Sequence, residues 1–254
     1  MRSIQNAISQ LPGWGASSGR DPVLILPLTN NASGTFAAAV DVSFRRDDYG
    51  DGYREHYWNP ASNGGFPAGG AQHIGGASFG CRGANVILNQ TASQNDYLRA
   101  AAMTWSYWVK VHSFAAAMHP IARGTSPASF ASRDINCYIQ TDGYAVTRYF
   151  SGTSSRAVVA NENPVPLGVW THVVNVCQAG TSYVYVNGKL SGSGATAGNM
   201  NQTDRITCIG GLSANTGHTS WSTSDMDMAW LVVYGYALDA QAITKLYAAT
   251  NPFT

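Results

Sequence analysis

Residues 103–111, MTWSYWVKV, constrain this chain more than any other stretch. Met103, Trp105, Tyr107, Val109 and Val111 take every odd position, while the even positions are polar apart from Trp108. Side chains of an extended chain alternate between two faces, so this spacing reads as a half-buried strand. A half-buried strand needs partners, and its apolar face needs a second layer to pack on.

The same signal returns along the chain. Ile135, Cys137 and Ile139 share one face of the next candidate, and residues 170–177 and 181–186 follow, separated by Gln178-Ala179-Gly180. Asn187-Gly188 then supplies a strong hairpin signal, because a type I′ turn needs positive φ at both central residues. Residues 205–209 and 226–236 complete the set, and Val23 to Leu26, stopped by Pro27, is an earlier candidate. No strand-helix-strand alternation occurs. The expected fold is all-β, a two-sheet antiparallel jelly-roll sandwich with one short C-terminal helix and an N-terminal arm. For the helix, Asp239 is a suitable N-cap, and Leu238, Ala242, Ile243 and Leu246 form an apolar stripe expected to lie across the sandwich edge.

The division expected is an arm over residues 1–20 and a single domain over 21–254 with a long 45–80 loop. The arm carries Ile4, Ile8 and Leu11 at i, i+4, i+7, then Trp14. It either packs on its own domain or reaches a neighbouring subunit. The loop runs from Arg45-Arg46-Asp47-Asp48 through Tyr49, Tyr53, Tyr57 and Trp58 into a Gly-rich stretch. Irregular segments of this length in compact domains are usually functional or interfacial, and Tyr, Trp and Arg dominate binding hot spots. The alternative for the loop is a flap over one sheet.

Charge narrows the partners. Only 11% of the 254 residues are charged and the formal net charge is +1, whereas Ser, Thr, Asn and Gln together number 69. Without a basic footprint a nucleic-acid partner is not expected. No apolar run is long enough for a membrane span, and the N-terminus lacks the continuous apolar core of a secretory signal. Cys81, Cys137, Cys177 and Cys208 show no metal-binding spacing and are expected to be reduced and mostly buried, with disulfides as the alternative if the protein matures outside a cell.

Catalytic patterns are sparse. Glu supplies two of the fourteen acids, Glu55 and Glu162. Glycoside hydrolysis needs an acid and a nucleophile or base at a defined separation, so a hydrolase built on Asp pairs is only the minor alternative to a non-enzymatic domain. Gly15-Ala16-Ser17-Ser18-Gly19 matches a nucleophile-elbow pattern without the strand and helix that chemistry requires. The six His residues show no metal-ligand spacing, and His172 is expected to pack or to bond the backbone.

Three segments together resemble a known family. MTWSYWVKV resembles its "FTISFWVKP" strand; Trp170 to Val174 followed by Tyr183 to Leu190 resembles "WHHVA…LYVNGKL"; and Trp230 to Tyr247 resembles the closing "DDVRIYNRALSAEEIAALY". Their order and spacing match the LamG-like branch of the concanavalin A-like lectin/glucanase superfamily over roughly residues 23–250. The resemblance implies a jelly roll whose Trp residues fill the gap between two sheets and whose helix caps an open end, and it says little about function. Many members bind calcium through acidic residues near the first strand and at a pair opening the last one. Here Asn30 and Asn31 stand in the first place and Ala229-Trp230 in the second. Asp225 and Asp227 just precede that pair, so a shifted calcium site is the conceivable cofactor; otherwise none is expected.

Two roles remain in view. The first is a virion structural protein, a bacteriophage capsid decoration or tail-associated subunit, homo-oligomeric through Ile4, Ile8, Leu11, Trp14 and the loop aromatics, located on the virion surface. The alternative is a lectin-like carbohydrate-binding module, extracellular or virion-borne. Tyr53, Tyr57, Trp58 and Trp221 would then stack on sugar rings, or else serve core or interface packing.

Overall fold

The computed structural model describes residues 12, 24–26, 79–80, 86–88, 100–124, 133–151, 154–196, 198, 207–213, 220–223 and 225–251. Fifteen strands lie among them. The first eight are β1 (Leu24–Leu26), β2 (Phe79–Gly80), β3 (Val86–Leu88), β4 (Met103–Val111), β5 (Met118–Gly124), β6 (Arg133–Ile139), β7 (Ala145–Ser151) and β8 (Ser154–Val159). They are followed by β9 (Thr171–Cys177), β10 (Gly180–Val186), β11 (Lys189–Thr196), β12 (Thr207–Ile209), β13 (Gly211–Ser213), β14 (Ser220–Thr223) and β15 (Met226–Tyr234). Helix α1 (Ala240–Thr250) closes the chain. One antiparallel sheet runs β1-β15-β4-β9-β10-β11 with β2 also on β15, and the other runs β3-β12-β5-β6-β7-β8; β13 and β14 form a separate ribbon. This is the two-sheet sandwich expected from the strand periodicity.

The sheets meet over one core. From the first come Met103, Trp105, Tyr107, Val173 and Leu231, and from the second Ile121, Ile135, Cys137, Ile139 and Tyr149. Burying side chains of this size contributes about 1.5–3 kcal/mol each, before the entropy of ordering the chain is subtracted. One polar thread crosses the core: Tyr107 Oη donates to Asn175 Oδ1 at 2.9 Å, and Asn175 Nδ2 donates to Thr147 Oγ1 at 2.6 Å. It links β4, β9 and β7, and so both sheets. Cys137 and Cys177 are free buried thiols, as expected, and burial pushes both well above the usual thiol range. The side chains of Cys81 and Cys208 lie outside the described residues.

The expectation of a half-buried β4 is corrected. Every residue from Met103 to Val109 is buried, including Thr104, Ser106 and Trp108 on the second face. The cover is α1, which lies on the outer face of the first sheet and not across the sandwich edge. Trp108, Val174, Val176, Tyr185, Val232 and Tyr234 form a second core with Leu238, Ile243, Leu246 and Ala249. The tryptophans divide accordingly: Trp105 fills the gap between the sheets, whereas Trp108 and Trp230 are buried under the helix and Trp170 packs against the same cluster. Trp108 Nε1 donates to Thr250 Oγ1 at 2.9 Å, tying the last helical turn to the sheet.

The helix begins as read from the sequence, with Asp239 Oδ1 accepting from Ala242 N at 2.8 Å. The hairpin turn also follows expectation, with φ of 51° at Asn187 and 75° at Gly188. Glycine is needed at 188 on a second ground, because a Cβ there would stand 3.2 Å from Tyr247 ring carbons. Near the middle of β15 the register with β4 slips between Ala229 and Val232, and Trp230 takes a φ of 49°. This β-bulge sends Ala229 and Trp230 together to the helix side, while Met228 and Leu231 both face the inner core. Left-handed backbone at a bulky residue costs roughly 1–3 kcal/mol, and burying the indole offsets it.

Candidate binding face

Two clusters could be mistaken for chemistry. Ser106 Oγ and His172 Nε2 lie 2.8 Å apart, the spacing of a nucleophile and its base. Both residues are fully buried, and Trp108 and Tyr247 pack on the imidazole with ring centroids at 5.3 and 5.6 Å. Burial lowers the His172 pKa to about 3, so the ring is neutral near pH 7 and a poor proton acceptor. His172 Nδ1 is buried without a hydrogen-bond partner, so no acid orients the ring. Of the two roles expected for this side chain, packing is the one observed; separately, the main-chain His172 N donates to Asn187 Oδ1 at 3.0 Å, fastening β9 to the hairpin turn.

The second cluster holds the two acids considered for calcium. Asp227 is fully buried, with Oδ2 2.9 Å from His112 Nε2 and with Lys110 as its register partner on β4. Asp225 sits one residue before β15, its carbonyl accepting from His112 N at 2.8 Å. The His112 imidazole therefore neighbours the Asp227 carboxylate, and Lys110 stands opposite it on the adjacent strand. Among the described residues no three His, Cys, Asp or Glu side chains converge as a metal site. At the positions where the family carries its acidic pair, Ala229 and Trp230 form the bulge under the helix and offer no side-chain oxygen.

The other candidates fall largely outside what can be placed. Ile4, Ile8, Leu11, Trp14, Tyr49, Tyr53, Tyr57 and Trp58 lie outside the described residues. Trp221 belongs to β14, and its side chain also lies outside them.

The outer face of the second sheet carries the most suggestive chemistry, and no sequence motif pointed to it. Ile135, Cys137 and Ile139 face the core, so alternation turns Asn136 and Tyr138 outward; Ala145 and Tyr149 do the same for Arg148 on β7. Register then aligns Ala122, Asn136, Arg148 and Ala157 in one row across β5, β6, β7 and β8. Alanines stand on either side of the polar pair, so methyl groups flank it, and the register continues past Ala122 to Cys208 on β12. Tyr138 and His119 join it: Arg148 Nη2 donates to Tyr138 Oη at 2.9 Å, with the guanidinium carbon 5.1 Å from the ring centroid. The His119 ring lies 5.8 Å from that of Tyr138, and its Nδ1 is 3.2 Å from Asn136 Oδ1. His119, Tyr138 and Arg148 are half-buried, neither sealed like His172 nor loose on the surface.

Residues 85–244 match a family described as the Concanavalin A-like lectin/glucanases superfamily. The chain belongs to this superfamily. The matched span covers the described strands of both sheets from β3 onward, together with the start of α1. No curated protein matches the sequence. Among solved structures, the chain is similar to the receptor binding domain of botulinum neurotoxin type G, at 13% identity and a TM-score of 0.48, over 70% of this chain and 43% of that one. It is also similar to a heptameric SAP-like pentraxin from Limulus polyphemus, at 18% identity and a TM-score of 0.47, over 57% of this chain and 69% of that one. The chain thus spans less than half the length of the neurotoxin domain.

Within a concanavalin A-like sandwich, this face brings several polar side chains together on neighbouring strands. It offers amide, guanidinium, imidazole and phenol groups in one patch; Asp134, two residues before Asn136 on β6, is fully buried with its Oδ2 3.3 Å from Arg123 Nε. A pyranose needs such a mixture, directional hydrogen bonds for its hydroxyls and a ring surface for its C–H groups.

Proposed function

We propose that this domain is a non-enzymatic, lectin-like module that binds carbohydrate on the outer face of β5, β6 and β7. The observation that carries the reading is the row of Asn136 and Arg148 between two alanines, with Tyr138 and His119 beside it, on the sheet face opposite to the helix. Membership of a lectin/glucanase superfamily supports it. The scarcity of Glu favours binding over hydrolysis: Glu55 and Glu162 are 107 positions apart in sequence, and Glu162 lies in an exposed loop between β8 and β9. The virion-surface location and the homo-oligomeric contacts expected from the arm and loop rest on segments outside the described residues, and the described residues add nothing for them.

The test is a glycan array followed by calorimetry on the best ligand. A Tyr138→Ala variant with an unchanged melting temperature is expected to weaken binding by about tenfold or more, which is about 1.4 kcal/mol. Binding that is insensitive to Tyr138 and Asn136 substitutions would move the site elsewhere, and absence of binding to any glycan would overturn the reading.

A further inference from the structure

We infer that Arg148 is an anion subsite of this face and that the ligand is an acidic glycan, one carrying carboxylate or sulfate groups. This rests on the glycan-binding reading above and narrows it to a substrate class.

The guanidinium is unusually unoccupied for its position. Arginine presents five N–H donors in a planar fork. Arg148 uses one, on Tyr138 Oη, and its Nε is buried with no acceptor. No Asp or Glu among the described residues pairs with it. The contrast on the same sheet is Arg123, which is fully buried and has Asp134 Oδ2 3.3 Å from its Nε. The half-buried guanidinium has further terminal N–H donors beyond the one given to Tyr138, and an incoming oxygen can accept from them. An anionic oxygen gains more than a hydroxyl, because hydrogen bonds between ionised partners are about twice as strong and a carboxylate or sulfate can engage two donors at once.

The surroundings preserve that vacancy in the hydrogen bonding. Tyr138 holds the guanidinium by a hydrogen bond and a cation–π contact, which fixes its plane without neutralising its charge. Ala122 and Ala157, on either side of the Asn136–Arg148 pair in the cross-strand row, have side chains too short to reach over it. The His119 imidazole lies beyond Tyr138 in the same patch, its ring 5.8 Å from the phenol ring. The Arg148 cation is therefore a local positive charge on a chain of nearly neutral net charge, which favours a locally anionic partner over a polyanion such as nucleic acid.

Matched pairs of glycans test this on the full-length protein: sialylated against desialylated, uronic acid against its carboxyl-reduced form, and sulfated against desulfated. In at least one kind of pair the acidic member is expected to bind about tenfold tighter or better. In Arg148→Met that preference should collapse while the melting temperature is kept, and Arg148→Lys, which retains charge without the fork, should fall between. The kind of pair that responds identifies carboxylate or sulfate as the recognised group. Equal binding within all pairs, or an acidic preference that survives Arg148→Met, overturns the anion subsite and leaves neutral glycan binding standing. Binding to no member of any pair overturns the glycan reading and this inference together.

Discussion

Trp108, Val174, Val232 and Tyr234 on the outer side of one sheet lie under helix α1, whereas His119, Tyr138 and Arg148 on the outer side of the other are half-buried and polar. Both sheets place an apolar face against the same inner core. They differ in what their outward positions carry. β9 and β15 are buried on both faces and mostly apolar, in the manner of strands covered on both sides, and such a strand is stable only if something seals it. β6 and β7 turn Asn136, Tyr138 and Arg148 outward beside the fully buried Val146 and Phe150, so a polar patch with hydrogen-bonding groups sits within a partly covered face. The two histidines show the consequence. His172 on the sealed face is locked in packing, and His119 on the other face stands beside groups that can meet a partner.

If sealing is the difference, the largest effect should come from the centre of the sealed face. Trp108→Ala removes an indole buried against Tyr247 and His172 and frees Thr250, and should destabilise the fold by about 3–5 kcal/mol in urea unfolding. A loss below about 1 kcal/mol would show that the helix is not what holds this face.

Acid should act next, through His172. Its folded pKa of about 3 lies below the roughly 6.5 of an unfolded chain. Between those values the unfolded state binds the extra proton, so this contribution is fully present above about pH 6.5 and is lost as pH falls toward 3. The slope is up to about 1.4 kcal/mol per pH unit, or about 3 kcal/mol by pH 4. Denaturation measured across this range should show the slope in the native protein and lose it in His172→Gln.

Asp239→Ala should cost about 1 kcal/mol by removing the N-cap of α1, read as a shift in the denaturation midpoint with unchanged cooperativity. The smallest expected effect on stability is Arg148→Met, within about 0.5 kcal/mol, although the same change is expected to abolish acidic-glycan preference. A loss above about 2 kcal/mol would make Arg148 a structural residue and erase the contrast between the faces.

Much of the fold is legible locally. Alternation in residues 103–111, the Asn187-Gly188 turn and the Asp239 cap each express backbone geometry within a few residues, and each appears where the sequence places it. The second buried face was also signalled, by Trp108 breaking the polar run of β4 and by the continuous apolar stretch of β15, but alternation alone assigned β4 a single buried side. The candidate site was not legible. His119, Asn136, Tyr138 and Arg148 occupy three strands, each of them an ordinary polar residue on an outward position, and no motif spans them.

The sequence by itself determined that this chain forms antiparallel strands, where its main hairpin turns, and where its last helix starts, because those choices depend on neighbours along the chain. Only the tertiary structure decided which face that helix covers, that Ala229 and Trp230 share one side of a bulge, and that Arg148 faces outward without a carboxylate partner among the described residues. Those outcomes depend on strand register and on layer packing between residues far apart in sequence, which no local pattern encodes.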